Sequence, residues 1–135
     1  MNNICGVHHV ALHTSDLEKS IKFYTEGLGF KLESTWRNGD NTKTLAMVDI
    51  GGGNKLELFS DCTGRTTYPT DAGTFVHLAF RVADTKAAFE RALKYGAVEH
   101  ILPKEMTMPS DPPYPVALSF VKGPDGELLE FFQEK

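Results

Sequence analysis

Apolar and polar residues along the chain predict one order of secondary structure that occurs twice. Alternation over residues 7–14 predicts a strand, and apolar residues at helical spacing over 17–28 predict a helix. Three more strands are predicted, at residues 30–36, 44–50 and 55–59. After an aperiodic connector at residues 60–73, the same order begins again with a strand at 75–82.

The second half completes the repeat. A helix is predicted at residues 84–95, which Gly96 ends, followed by a strand at 98–102. Five prolines then predict an irregular loop at 103–115, because proline cannot donate a backbone hydrogen bond. Loops of that length inside a domain are usually functional. The last two strands are predicted at 116–121 and 127–133.

This order predicts an α+β fold of two tandem βαβββ repeats, about residues 7–59 and 74–135. Each helix is expected to cover one face of its sheet, which leaves the other face open. We expect the repeats to form a curved, half-barrel mixed sheet with helices on the outer face and a polar cavity inside. All 135 residues are expected to form a single domain.

A histidine stands at the same place in the first strand of each repeat, and a glutamate in the last strand. The four residues are His9, His77, Glu57 and Glu130. Alternation puts all four on the open face. Desolvating such carboxylates costs on the order of several kcal/mol, most of which a cation offsets. We therefore predict a site for a divalent cation, octahedral with about two waters, built within one chain or between two.

Each histidine precedes an aspartate by seven positions, His9 before Asp16 and His77 before Asp84. The two aspartates are predicted helix N-caps. The neighbouring His8 does not share this offset. We therefore expect no direct chemical role for His8.

Charge and composition narrow the classes of function. A net charge of −4 and a pI near 5.7 give no electrostatic reason to expect nucleic acid or a membrane surface. No apolar run approaches the roughly 20 residues of a membrane helix, and residues 1–6 do not resemble a signal peptide. Cys5 and Cys62 have no disulfide or zinc spacing. We expect a cytoplasmic protein with a small-molecule substrate.

Five stretches resemble the vicinal oxygen chelate superfamily of glyoxalases, bleomycin resistance proteins and dioxygenases. They are residues 8–12, 15–24, 28–30, 77–80 and 123–130. Within the superfamily they are most similar to bacterial glyoxalase I, also called lactoylglutathione lyase. The resemblance implies that the family's metal ligands fall on His9, Glu57, His77 and Glu130. It also implies a homodimer in which each site takes one His/Glu pair from each subunit.

The activity that this resemblance implies is a metal-dependent isomerisation in methylglyoxal detoxification. The hemithioacetal of a 2-oxoaldehyde and a thiol would become a 2-hydroxyacyl thioester through a metal-stabilised enediolate. Glu130, with Glu57 as its counterpart, would move the proton. One divalent ion per site is implied, with nickel, cobalt or zinc expected and manganese or iron also compatible with these donors.

Two departures from the glyoxalase I pattern concern the thiol. Four residues beyond His9, where some similar proteins place an arginine for the thiol's carboxylate, this chain has His13. The stretch 106–115 is longer and richer in proline than in similar proteins. We expect Arg81 and Lys104 to serve as anion partners instead, and the identity of the thiol stays open.

Other activities of the superfamily stay open as well. An acyl-CoA epimerase would keep a similar ion and a proton-abstracting glutamate. A ring-cleaving dioxygenase or an antibiotic-inactivating thiol transferase would use three protein ligands, which gives Glu57 no role as a ligand. A small-molecule-binding resistance module usually has apolar residues at the ligand positions, whereas here all four ligands are present.

Overall fold

The computed structural model describes residues 7–37, 40–60, 75, 77–110 and 112–135. The chain divides into two compact units, residues 1–64 and 65–135, and each unit contains one of the predicted repeats. Cys5, Cys62 and nearly all of the predicted connector 60–73 lie outside the described residues. That the two repeats form a single domain stays a prediction.

The first unit contains a four-stranded mixed sheet and one helix. Its elements are β1 (His9–His13), α1 (Leu17–Lys22), a π-helical turn (Phe23–Gly27), β2 (Lys31–Arg37), β3 (Thr44–Gly51) and β4 (Asn54–Phe59). The strand order is β1-β4-β3-β2. β1 is parallel to β4, and the other neighbours are antiparallel.

The second unit repeats this arrangement. Its elements are β5 (Leu78–Arg81), α2 (Thr85–Lys94), β6 (Val98–Met108), β7 (Tyr114–Lys122) and β8 (Leu128–Glu134). The strand order is β5-β8-β7-β6, with β5 parallel to β8 and the other neighbours antiparallel. The predicted α+β class and the twofold βαβββ order are therefore confirmed.

Both helices begin at the predicted aspartates. The carboxylate of Asp16 accepts a hydrogen bond from the Lys19 backbone N at 3.0 Å, and Asp84 accepts one from the Ala87 backbone N at 2.9 Å. α2 ends before Gly96, whose φ of 97° is a conformation that glycine adopts at little cost. In the described part of the chain, no helix is long and apolar enough to cross a membrane.

Each helix packs against one face of the sheet in its own unit. α1 contacts β3 and β4, and Leu56 and Leu58 of β4 are fully buried. α2 contacts β6, β7 and β8, and Leu129 and Phe131 of β8 are buried. Because side chains alternate along a strand, the residues between these apolar positions lie on the opposite face. The glutamates of the candidate site occupy such positions.

The prediction of an irregular loop over residues 103–115 is wrong for most of its length. β6 continues to Met108, and β7 begins at Tyr114. β6 is an edge strand of its sheet, and Pro103 lies where its register with β7 shifts. Proline is tolerated at such positions, because no ladder hydrogen bond needs its nitrogen. Strands therefore occupy the predicted loop up to Met108 and again from Tyr114.

One buried hydroxyl predicts a stabilising substitution. Ser119 of β7 is fully buried, and its Oγ has no hydrogen-bond partner in the described part of the chain. A buried polar group without a partner costs about 1–3 kcal/mol. We predict that Ser119→Ala raises the free energy of unfolding by about 1 kcal/mol in urea denaturation followed by circular dichroism.

Thr85 provides the matched comparison. It is buried too, but its Oγ1 donates a hydrogen bond to the Ala117 carbonyl oxygen at 3.3 Å. Thr85→Val removes that donor and should lower the free energy of unfolding by about 1 kcal/mol. A destabilised Ser119→Ala protein would contradict the prediction.

Candidate functional site

His9 and Glu57 lie side by side on the open face of the first sheet. Their strands, β1 and β4, are parallel neighbours, and the register places Ala11 opposite Glu57. His9 shares a face with Ala11 because the two residues are two positions apart. His9 Nε2 consequently lies 3.4 Å from Glu57 Oε2.

His77 and Glu130 form the equivalent pair in the second unit. The parallel pairing of β5 with β8 places Ala79 opposite Glu130, and His77 again lies two residues before that alanine. His77 Nε2 is 3.0 Å from Glu130 Oε2. The structure thus brings the histidine and glutamate of each repeat together through the same register.

The two pairs differ in their exposure to solvent. Glu130 is only 7% exposed, whereas Glu57 is half-buried and both histidines are more open. Burial raises the pKa of Glu130 above its ordinary value, and the adjacent His77 opposes part of that rise. Glu130 is therefore a poorly hydrated carboxylate, which accepts a proton or a cation more readily than an exposed one.

Phe120 is a neighbour of the second pair that the sequence did not single out. The register of β7 with β8 places Phe120 opposite Glu130, and its ring meets the His77 ring edge to face with centroids 5.3 Å apart. Met47 holds the equivalent position opposite Glu57 in the first unit. Phe120 and Met47 are identified only by the register between neighbouring strands. Alternation of side chains within one strand does not reveal that register.

Each pair fits two adjacent ligands of a divalent cation. Imidazole nitrogen and carboxylate oxygen bind such ions at about 2.0–2.2 Å, so two of these donors at a right angle are about 3 Å apart. The observed separations of 3.4 and 3.0 Å are close to that value. Among the described residues, no group of three or more His, Cys, Asp or Glu side chains forms a metal-binding cluster. The donors therefore occur as two pairs.

His13 and Arg81 occupy equivalent places further along the same open faces, each opposite a phenylalanine of the last strand. The His13 ring meets Phe59 edge to face, with centroids 5.7 Å apart. Arg81 Nη2 lies 3.6 Å from Glu134 Oε1, and the Arg81 side chain is 82% exposed. Arg81 therefore places an accessible positive charge on the open face of the second unit.

Lys104 is further from the second pair. It is an exposed residue of the edge strand β6, and β7 lies between β6 and the strand that carries Glu130. The second unit therefore does not bring Lys104 next to the carboxylate.

The chain is similar to known proteins in both sequence and structure. A family model described as the Glyoxalase/Bleomycin resistance protein/Dioxygenase superfamily matches residues 6–131. A probable lactoylglutathione lyase from Vibrio parahaemolyticus serotype O3:K6 is 36% identical over 133 residues, covering 94% of this chain and 89% of that protein.

Two solved structures extend this similarity to the fold. A glyoxylase/bleomycin resistance protein/dioxygenase domain from Frankia sp. EAN1pec matches with a TM-score of 0.76 at 26% identity, covering 98% of this chain and 94% of that chain. A trypanothione-dependent glyoxalase I from Leishmania major matches with a TM-score of 0.68 at 28% identity, covering 96% and 86%.

The burial of Glu130 predicts how its substitution affects the metal-free protein. Glu130→Gln removes a desolvated charge, while the amide oxygen can still accept a hydrogen bond from His77 Nε2. We predict that it raises the melting midpoint at pH 8 in excess chelator by roughly 2–4 °C. Well below the ordinary carboxyl pKa of about 4.3, the carboxyl is protonated in both states and the gain should disappear.

Thermal melts at pH 8 and pH 3 test this prediction. Glu99→Gln is the control, because Glu99 is an exposed residue of β6 and its substitution should leave the midpoint nearly unchanged. A lower midpoint for Glu130→Gln at pH 8, or an equal gain at both pH values, would show that desolvation of this carboxylate is not the cause.

Proposed function

We propose that this chain, which belongs to the Glyoxalase/Bleomycin resistance protein/Dioxygenase superfamily, is a metal-dependent, glyoxalase I-like isomerase. Its substrate would be the hemithioacetal of a 2-oxoaldehyde such as methylglyoxal and a thiol, and its product a 2-hydroxyacyl thioester. One observation carries the proposal: a His/Glu pair of the same register and nearly the same spacing occurs in both units.

The two pairs together would hold one divalent ion per site. The proposed ligands are His9, Glu57, His77 and Glu130. Nickel, cobalt, zinc, manganese and iron all accept such a set of nitrogen and oxygen donors. When bound, the ion would supply positive charge that stabilises the negative charge developing on the substrate oxygens, by several kcal/mol.

The proposed assembly is a homodimer in which each site takes one pair from each subunit. One His/Glu pair fills only two of the coordination positions of an octahedral ion. A site with four protein ligands therefore requires both pairs. Each unit contains one such pair. A second copy would supply the missing pair for each site.

Glu130 is the proposed base, with Glu57 as its counterpart. The isomerisation moves a proton from C1 to C2 and a second proton from the C1 oxygen to the C2 oxygen, so no oxidant or reductant is required. Glu130 suits the first transfer because it is buried beside the proposed ion and would be within reach of the substrate carbon, and positioned bases contribute roughly 10² to 10⁴-fold. Glu130 would then return the same proton to C2, and Glu57 is its more exposed counterpart in the other pair.

Arg81 and His13 are proposed to contact the substrate, and Arg81 in particular to bind a carboxylate of the thiol. Both lie on the open faces that carry the pairs. Lys104 is proposed as a second anion partner, at a greater distance because β7 lies between its strand and the strand of Glu130. The thiol requires a direct test, since the relatives' names specify glutathione in one case and trypanothione in another.

Turnover tests the reaction. We predict that the metal-loaded protein isomerises the hemithioacetal of methylglyoxal with at least one of glutathione, trypanothione or a small monothiol, measured by thioester absorbance. Glu130→Gln at saturating metal should lower kcat by about 10²-fold or more, and Glu99→Gln should match the wild type. Full activity of Glu130→Gln would rule out Glu130 as the base.

Tight metal binding without turnover of any thiol adduct would favour an acyl-CoA epimerase instead.

Metal binding tests the ligands separately from turnover. We predict one ion per chain, and an affinity for Zn²⁺ that falls about 100-fold or more in both His9→Gln and His77→Gln, measured by competition with a chromophoric chelator. His100→Gln, on β6, is the control and should retain wild-type affinity. Equal affinity in all three variants would contradict the proposed ligand set.

A further inference from the structure

His8 contacts the first candidate ligand in a way that the second repeat cannot reproduce. His8 Nδ1 lies 3.0 Å from His9 Nδ1, with the rings edge to face and their centroids 5.2 Å apart. At that distance the N–H of one ring donates a hydrogen bond, and the unprotonated nitrogen of the other ring accepts it. The residue before His77 in the sequence is Val76, which has no side chain that could accept a hydrogen bond.

Both ring nitrogens of His9 therefore have a polar neighbour, which couples the tautomers of the two histidines. His9 Nε2 lies 3.4 Å from a Glu57 oxygen. An ionised carboxylate has no hydrogen to donate, so it can only accept a hydrogen bond. With both rings neutral and no metal bound, the proton of His9 is favoured on Nε2. His9 Nδ1 then accepts, and His8 must carry its proton on Nδ1.

Coordination of a cation through His9 Nε2 would reverse this arrangement. Nε2 must then present its lone pair, so the proton of His9 belongs on Nδ1. His9 Nδ1 becomes the donor, His8 Nδ1 the acceptor, and the proton of His8 belongs on Nε2. The pair holds two protons before and after the change, so the exchange requires no net proton uptake. Histidines that bind metals usually donate the remaining N–H to a carboxylate, a backbone carbonyl or water, which orients the ring. The unprotonated nitrogen of His8 can accept in the same way.

We propose that His8 is a positioning residue of the metal site, which accepts the Nδ1–H of His9, and that the two histidines exchange tautomers when a divalent cation binds. This inference rests on the proposed function, because it requires His9 to be a ligand. It also assigns His8 an indirect role, which the matched register of the two repeats does not reveal. This exchange of tautomers is proposed only for the pair of His9 and Glu57, because Val76 precedes His77 in the sequence.

The tautomers can be observed directly in the full-length protein. Nitrogen NMR of ¹⁵N-histidine-labelled protein at pH 8 distinguishes a protonated Nδ1 from a protonated Nε2. His8 should carry its proton on Nδ1 in excess chelator and on Nε2 after addition of Zn²⁺, while His9 shows the opposite change. The His8→Asn spectrum assigns the signals. An identical His8 tautomer in both states would overturn the proposal.

Zn²⁺ affinity provides a second readout. His8→Phe keeps an aromatic ring but removes the acceptor, so affinity should fall about 10-fold. His8→Asn should restore affinity to within about threefold, because its amide oxygen can accept from His9 Nδ1–H. His100→Phe, the same change at an exposed histidine of β6, is the control and should bind Zn²⁺ like the wild type. Wild-type affinity in His8→Phe would overturn the proposal.

His9→Gln distinguishes this failure from a failure of the proposed metal site. If His9→Gln lowers Zn²⁺ affinity and His8→Phe does not, only the role of His8 is wrong. If neither substitution changes the affinity, His9 is not a ligand and the proposed function loses its metal site. Circular dichroism of each variant verifies that the fold is retained.

Discussion

Parallel pairing of the first and last strand in each unit is the constraint on which the candidate site depends. It sets Ala11 opposite Glu57 and Ala79 opposite Glu130, and so brings each glutamate to the histidine two residues before the alanine. A slip of one residue would turn the glutamate toward the helix. Burial of the alternate apolar residues prevents that slip, so packing of the core also fixes the separation of the donor atoms.

The two repeats share a backbone plan, but their side chains make the two pairs chemically different. Glu130 is buried beside a histidine whose ring packs against Phe120, and burial raises the pKa of the carboxyl. The first pair is more exposed, and its histidine contacts His8. These differences underlie the proposed division of roles, in which Glu130 is the base and His8 orients His9.

The sequence predicts much of this arrangement, because alternation along strands and capping aspartates are local signals. Alternation alone predicts that the histidines and glutamates lie on open faces, and this prediction does not require the pairing of the strands. The predicted loop at residues 103–115 is wrong at its start because proline, here Pro103, is tolerated on an edge strand at a register shift. Phe120 and the contact of His8 with His9 could not be predicted, because one depends on the register between strands and the other on side-chain rotamers.

The most direct test of the central claim is X-ray absorption spectroscopy of the Zn²⁺-loaded protein. Two imidazoles at about 2.0–2.1 Å, with oxygen ligands completing the shell, are the result that the account predicts. Replacing His77 by glutamine should reduce the imidazole contribution to one. A shell without imidazole in the wild type, or one unchanged by that replacement, would contradict the claim that the duplicated pairs bind one ion.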